Sequence, residues 1–329
     1  MKRLQGFWLC VALVLSLPGW AVAEGYGATA PVRGQSTAWS SGPGTAEPAL
    51  WGGELVATQV EHYLEVLKPQ RLRSVGRTSV VFRAELAGPV DAAFKVSTRS
   101  HPYAPQAEVA AYRVGRCLGL RHIPPAVLRK LSGEALAARW KGAPEKLAAL
   151  RERMRVDQAG QVLVAAIYWV DGLTELGLDN AQGVARMRRW LGQAQSPPPP
   201  DQAPLAAQLS ALLVFDYLIG NPDRFSGSNM KGTADGSIVY FRDNDLGFPM
   251  RRHVQRTRRL QRRLHWTQRF SRRLVGALRG LTVECVTAGA PGLLRTGQAR
   301  GLVERQQEAL SYIDALISRY GPKAVLPFP

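Results

Sequence analysis

The sequence predicts an α+β fold in two parts, a small lobe of antiparallel sheet plus one helix and a mainly helical large lobe. Three observations lead there. Strand-like runs gather before residue 170, and helical apolar periods dominate after it. Between the later helical runs, two acidic points stand at the mouths of apolar elements: Asp223 behind the turn Gly220-Asn221-Pro222, and the triplet Asp243-Asn244-Asp245 behind the β-like run 238–241.

Residues 1–23 stand apart from the fold. Lys2 and Arg3 precede an apolar run over 7–17, then Pro18-Gly19 and the small-x-small pattern Ala21-Val22-Ala23, which together predict a secretory signal peptide and hence an exported protein, periplasmic or secreted. The run falls short of the roughly 20 residues a bilayer span needs, and no later stretch is expected to span a membrane. Residues 24–48, rich in Gly, Ser, Thr, Ala and Pro, predict a flexible linker. Cys117 and Cys285 are the two cysteines beyond the leader. They are open to pairing in an oxidising compartment or to burial as free thiols, and their segments show no reason to meet. With 329 residues, 46% hydrophobic and 21% charged, the chain is long enough for one large or two small globular domains, and no zinc spacing or internal repeat is present.

The small lobe is expected over 49–170. A helical period runs from Leu55 through Val60, Tyr63, Leu64 and Leu67 to Pro69. Two strands follow over 79–86 and 91–96, joined at Ala87-Gly88-Pro89. Before them, Gly76 and Ser79 flank a small polar turn that suits either backbone approach to phosphates or a plain hairpin. A helix over 106–118 shows an apolar stripe of Ala110, Val114, Cys117 and Leu118, with Glu108 off the stripe beside Ala111 and Gly115. The stretch 134–155 reads as helical and charged, and 161–170 as a buried strand that closes the lobe. The large lobe is expected over 171–329, with helices over 175–193, from Leu205 into Asp216, and over 301–320, and a polyproline spacer near 196–200.

Lys95 sits mid-strand between Phe94 and Val96, where alternation turns it away from both. Taken alone, a solvated lysine and a solvated Glu108 are the ordinary reading. A strand lysine paired with a glutamate on the next helix, followed by two acidic points in that order, is also the arrangement that clamps phosphates and metal in phosphoryl transfer. Asp216, in an apolar context, needs a partner and is expected to brace the loop after it.

The runs AFKV, AEVAAYRVGRCLGLRHIPPAV, DYLIGNPDR and RDNDLGF resemble, in order, the strand lysine, the helix and following strand, the catalytic loop and the metal loop of the secretory-pathway kinases that include Golgi casein kinase, glycosaminoglycan xylose kinase and Four-jointed. The resemblance covers residues 75–250. It implies an atypical kinase-like fold that uses ATP with Mn2+ or Mg2+. Lys95 would hold the nucleotide phosphates and pair with Glu108, with Gly76 and Ser79 near the nucleotide. Asp223 would be catalytic and Asp243 a metal ligand. Asn229, six residues beyond Asp223, would be a second metal ligand. Asp216 and Arg224 would be structural support, and Asp245 either a ligand or, as the favoured reading, a loop cap. Phe225 stands where the animal relatives tend to have histidine, and their set of cysteines is missing.

From 251 to 273, ten residues are arginine and none is acidic, while Leu260, Leu264, Phe270 and Leu274 recur at helical spacing. The segment predicts amphipathic helices over 251–274 with a cationic face, either a solvated surface or a docking face for anions. Arg258, Arg259, Arg262 and Arg263 are the candidate acceptor-binding residues, since a guanidinium fork suits carboxylate and phosphate. The net charge of +18 also fits nucleic acid, but an exported protein more often meets acidic proteins or glycans, so the expected partner is an anionic protein or glycan acceptor. Two other readings use the same residues: a catalytically idle scaffold holding an anionic polymer, and a nucleotidyl transferase.

Overall fold

The computed structural model describes residues 50–51, 54–76, 79–193, 196–226 and 229–329. The expected signal peptide and linker lie outside the described residues. A short antiparallel pair, β1 (Leu50–Trp51) with β2 (Leu55–Val56), leads into α1 (Ala57–Val66). Val60 and Leu64 of α1 are fully buried, as their helical spacing predicts.

The small-lobe sheet contains β3 (Pro69–Ser74), β4 (Val81–Leu86), β5 (Asp91–Val96), β6 (Ala126–Ser132) and β7 (Gln161–Tyr168), in the order β3-β4-β5-β7-β6 with every pair antiparallel. Phe82, Ala84, Ala92, Phe94 and Val164 send one face of it into the small-lobe core. β7 is central and buried, in keeping with its unbroken apolar sequence. β3 is an edge strand with Pro69 at its first position and exposed Arg71, which is why hydrophobic alternation does not reveal it. At the end of β3 the Val75 and Gly76 amides both donate to the Val81 carbonyl at the start of β4, at 3.0 and 3.4 Å. A Cβ at Gly76 would stand 2.2 Å from the Ser79 carbonyl oxygen, so close approach within the turn accounts for the glycine.

Between β5 and β6 runs α2 (Ala104–Cys117). Its residues are buried on nearly every side. One face meets the sheet, and Ala110, Ala111 and Val114 enter the same core as the large-lobe helices. The charged stretch expected as one helix over 134–155 is two, α3 (Gly133–Ala138) and α4 (Pro144–Arg153), because Pro144 starts a new helix and does not continue the old one.

The large lobe opens with β8 (Thr174–Glu175) and α5 (Ala181–Leu191), then a short 3-10 turn at Pro200–Gln202 and α6 (Ala203–Ile219). α6 is buried from Ala206 to Ile219 on all faces, the signature of a helix at the centre of a core. Among the described residues its stretch is the one helix long and apolar enough to cross a membrane, by length and composition alone. β9 (Met230–Gly232) and β10 (Val239–Phe241) form a hairpin that β8 extends. α7 (Val254–Leu264), α8 (Arg272–Arg279), α9 (Val283–Thr287), α10 (Thr296–Tyr320) and α11 (Pro322–Val325) complete the lobe. Cys117, at the end of α2, is disulfide-bonded to Cys285 of α9. The sequence showed no reason for these cysteines to meet; the reason is that α2 and α9 pack together in three dimensions.

Candidate active site

Lys95 stands on β5 opposite Val81 of β4 and Ala165 of β7, on the face that α2 covers. Its Nζ lies 2.7 Å from a Glu108 carboxylate oxygen, and both side chains are buried. The same ammonium bonds Asp243 and lies 3.0 Å from Asp245. Burial alone would push the lysine pKa down, but Glu108, Asp243 and Asp245 outweigh it and hold the group well above the lysine range. Burial raises the pKa of Glu108 against the pull of Lys95. For Asp243 the balance tips the other way: burial would raise it, but Lys95, Arg242 and Arg224 bring it below the usual carboxylate range.

Asp243 follows β10 directly and has a φ of 57°, in the left-handed region that aspartate tolerates better than most residues. β10 itself is pinned by Phe241, which stacks on His122 at 4.7 Å and packs against Phe215 of α6. The Phe241 amide also donates to the His122 carbonyl at 2.8 Å.

Asp223 is delivered from the other side. α6 ends at Gly220, whose φ of 74° turns the chain out of the helix as a left-handed cap. Asn221 is fully buried and ties the two acidic points together, since its Nδ2 donates to the Asp243 carbonyl at 3.2 Å and its Oδ1 accepts the Asp223 amide at 3.1 Å. Ser226 Oγ bonds the Asp223 carboxylate, and Asn229 Nδ2 lies 3.3 Å from Asp223 Oδ2. Asn229, expected as a second metal ligand, also bonds the Asp223 carbonyl through Nδ2 at 3.1 Å.

Arg224 is fully buried and holds three segments at once. Its Nη2 lies 2.9 Å from Asp216 of α6 and 2.7 Å from Asn244 Oδ1, while Nη1 donates to the Arg242 carbonyl. Asn244 in turn donates its amide to Glu108 at 3.0 Å, so α2, the loop of Asp243, the loop of Asp223 and α6 form one buried polar network. Burial raises the pKa of Asp216, and Arg224 opposes that rise.

Two expectations need correction. Asp245, expected as a loop cap, sits with its carboxylate on Lys95, and one oxygen each from Glu108, Asp243 and Asp245 lies within 4.8 Å of the others. Arg263, expected on the acceptor-facing surface, donates to the Pro222 carbonyl at 2.6 Å and lies 4.6 Å above Phe225, so it holds the catalytic loop. Arg258, Arg259 and Arg262 are exposed on α7. Gly76 and Ser79, both half-buried, lie between β3 and β4. Asn221, Asn244 and Arg256 were missed by the sequence reading. Arg256 donates to the Gly220 carbonyl at 2.8 Å and to the Leu246 carbonyl, linking both acidic loops.

Beyond Phe225 the surface becomes a basic cleft. Trp266 packs edge-on to Phe225 at 5.4 Å, and with Arg188, Arg189 and His265 it lines a cleft of about 480 Å3. None of the cleft-lining residues is acidic.

Hard oxygen donors are what Mn2+ or Mg2+ takes, and the acidic cluster offers them. Glu108 is engaged by Lys95 and the Asn244 amide, which leaves Asp243 and Asp245 as the pair that fits a divalent ion.

A small sheet lobe with a lysine–glutamate pair, facing a helical lobe that carries two acidic loops, defines a protein of kinase-like fold. Residues 96–243 match the family described as Four-jointed box protein middle domain. Crystal structures of the Golgi casein kinase, one of them with Mn and ADP bound, share the fold at 15% and 16% identity. Each has a TM-score of 0.57, with 82% of this chain and 78% of theirs covered. Fam20 of hydra, solved with sugar, shares it at 16% identity and a TM-score of 0.60, with 82% of this chain and 91% of that one covered. No curated protein sequence matches the chain. The chain thus shares the fold of the Golgi casein kinase and of hydra Fam20, and its residues 96–243 resemble the Four-jointed box middle domain, in line with its motifs.

Proposed function

We propose that this protein transfers the γ-phosphoryl group of ATP to a hydroxyl on an anionic protein or glycan acceptor. The observation that carries the reading is the buried Lys95–Glu108 pair, 2.7 Å apart, with Asp243 and Asp245 gathered on the same ammonium. Lys95 would bind the phosphates, and Glu108 holds it in place for them. Asp243 and Asp245 would hold Mn2+ or Mg2+, which when bound neutralises phosphate charge. Asp223 orients the acceptor hydroxyl and takes its proton as the oxygen–phosphorus bond forms and the bond to the β-phosphate oxygen breaks. Catalysis is then largely positioning and charge neutralisation, because the transition state is loose.

The acceptor would approach over Phe225, along the exposed Arg258, Arg259 and Arg262 and the basic cleft beside Trp266. Export is part of the proposal, and the Cys117–Cys285 bond supports it, since disulfides persist in oxidising compartments.

The test is incubation of the full chain with γ-labelled ATP and manganese or magnesium, with an acidic protein and a glycan mixture as acceptors and Asp243→Ala as control. Transfer of label by the native chain alone is the expected result. Added mass of a nucleotide, in place of about 80 for a phosphoryl group, would make the protein a nucleotidyl transferase. Absence of both nucleotide binding and transfer would leave a polymer-binding scaffold.

A further inference from the structure

Behind the loop that carries Asp223 lies a small cavity that the proposed chemistry does not use. Gly220, Arg252, Arg256, Leu260 and Arg305 of α10 are among the residues that line it, with about 10 Å3 of room for the centre of a water-sized particle. That is room for about one particle the size of a water molecule.

Arg305 is 5% exposed. Its guanidinium is wedged between two glycines: a Cβ on Gly220 would stand 3.3 Å from its Cζ, and one on Gly301 would stand 3.0 Å from its Nη1. Nε donates to the Leu218 carbonyl at 2.7 Å, while Nη2 is buried and meets no acceptor among the described residues. Across the cavity, Arg256 bonds only the carbonyls of Gly220 and Leu246.

The nearby acids are committed elsewhere. Glu308 takes the fork of Arg252 at 2.8 Å on each arm and also accepts the Tyr217 hydroxyl. Asp223 acts on Arg256 through space, but its oxygens bond Ser226 and Asn229. Three guanidiniums thus line one cavity; Arg252 is paired with Glu308, and among the described residues neither Arg256 nor Arg305 bonds a carboxylate. Burial, with the charges of Arg252 and Arg256, pushes the Arg305 pKa down to about 10, so it remains cationic at neutral pH. A water molecule would satisfy Nη2 and leave the charge uncompensated, which is costly for a buried ion.

We propose that this cavity is a binding site for a monoatomic anion, a halide such as chloride, held between Arg305 and Arg256. The narrow space suits a small monoatomic ion, and the positive lining rejects cations. Through Arg256 the anion would steady the Gly220 and Leu246 carbonyls, and with them the loops of Asp223 and Asp245.

The test uses the full chain without nucleotide, so it does not depend on kinase activity. Thermal unfolding is compared in sodium gluconate, sodium sulfate, sodium chloride and sodium bromide at equal ionic strength, and a crystal soaked in bromide is read by anomalous scattering. Expected are a saturable rise in Tm of about 2 °C or more with chloride or bromide alone, and a bromide peak between Arg305 and Arg256. Arg305→Met should remove the halide dependence. Equal Tm in all salts, a halide effect without bromide at this cavity, or bromide there without a Tm shift, meaning an adventitious ion only, would each overturn the proposal. Because the native protein carries the crystal measurement, misfolding of the variant would not rescue it.

Discussion

Lys95 holds three carboxylates by one ammonium, and this sets what single substitutions should do. Asp243→Ala removes a proposed metal ligand, and nucleotide binding in the presence of manganese should fall below detection in calorimetry. Asp223→Ala should bind nucleotide nearly as well as the native chain while kcat falls about 10^2- to 10^4-fold. Equal loss of binding in both variants would contradict this division. Arg224→Met leaves Asp216 buried without its partner, and urea unfolding should show a loss of about 3–5 kcal/mol. His122 gives a pH signature. Its Nδ1 donates to the Val239 carbonyl at 3.0 Å, its Nε2 is buried without a partner among the described residues, and its pKa is pushed down by burial from 6.5 to about 4. The unfolded chain therefore takes up this proton first as pH falls. Stability from this group is full above pH 6.5, drains between 6.5 and about 4, and levels off below, with a total of about 3 kcal/mol. His122→Leu should flatten that part of the pH dependence relative to the native chain. At this scale the sequence was informative where a charge interrupts an apolar run, as at Lys95 and Asp223. Asn221, Asn244, Arg256 and Arg263 were opaque, because their partners are mainly main-chain carbonyls and amides brought near by folding, and such bonds leave no spacing in the sequence.

At the scale of elements, α2 is the part that must not drift, because Glu108 rides on it and Asn244 bonds to it. The Cys117–Cys285 bond fastens its far end to α9, closing a loop across a sequence separation of 168. Replacing both cysteines with serine should lower stability by about 2–4 kcal/mol in urea unfolding. It should also raise KM for ATP more than it lowers kcat, since the loosened helix would misplace the lysine clamp. A double variant with native KM would confine the disulfide to stability. The strands β4, β5 and β7 and the helices α1, α2 and α10 were legible because each has a regular apolar period, and α6 because its long run is apolar on every side. β3 was not, since an edge strand with proline and arginine has no buried period to show. The break between α3 and α4 depended on Pro144 outweighing the helix formers on both sides of it.

The whole molecule carries a net charge of +18, much of it in the segment that becomes α7 and its flanks. Long-range attraction between exposed charges is screened within about 8–10 Å at physiological salt. Raising salt from low to physiological should therefore raise KM for an acidic acceptor while leaving KM for ATP, which is met by buried groups, nearly constant. Replacing Arg258, Arg259 and Arg262 together by glutamine should remove most of that salt dependence without changing the Tm by more than a few degrees. The two-lobed arrangement was readable from the order of strand-like and helical runs; the sharing of α2 between sheet and large-lobe core was not, because its two faces are both apolar or small. α6 has a last consequence. On the proposed export route, a polypeptide threaded unfolded through a translocation channel would offer each apolar stretch to the lipid in turn, and α6 is long and apolar enough, by length and composition, to be tempted out sideways. Charged side chains such as aspartate disfavour that exit. Asp216, which in the folded protein anchors Arg224, is thus also the residue that argues for release of this segment into the water on the far side.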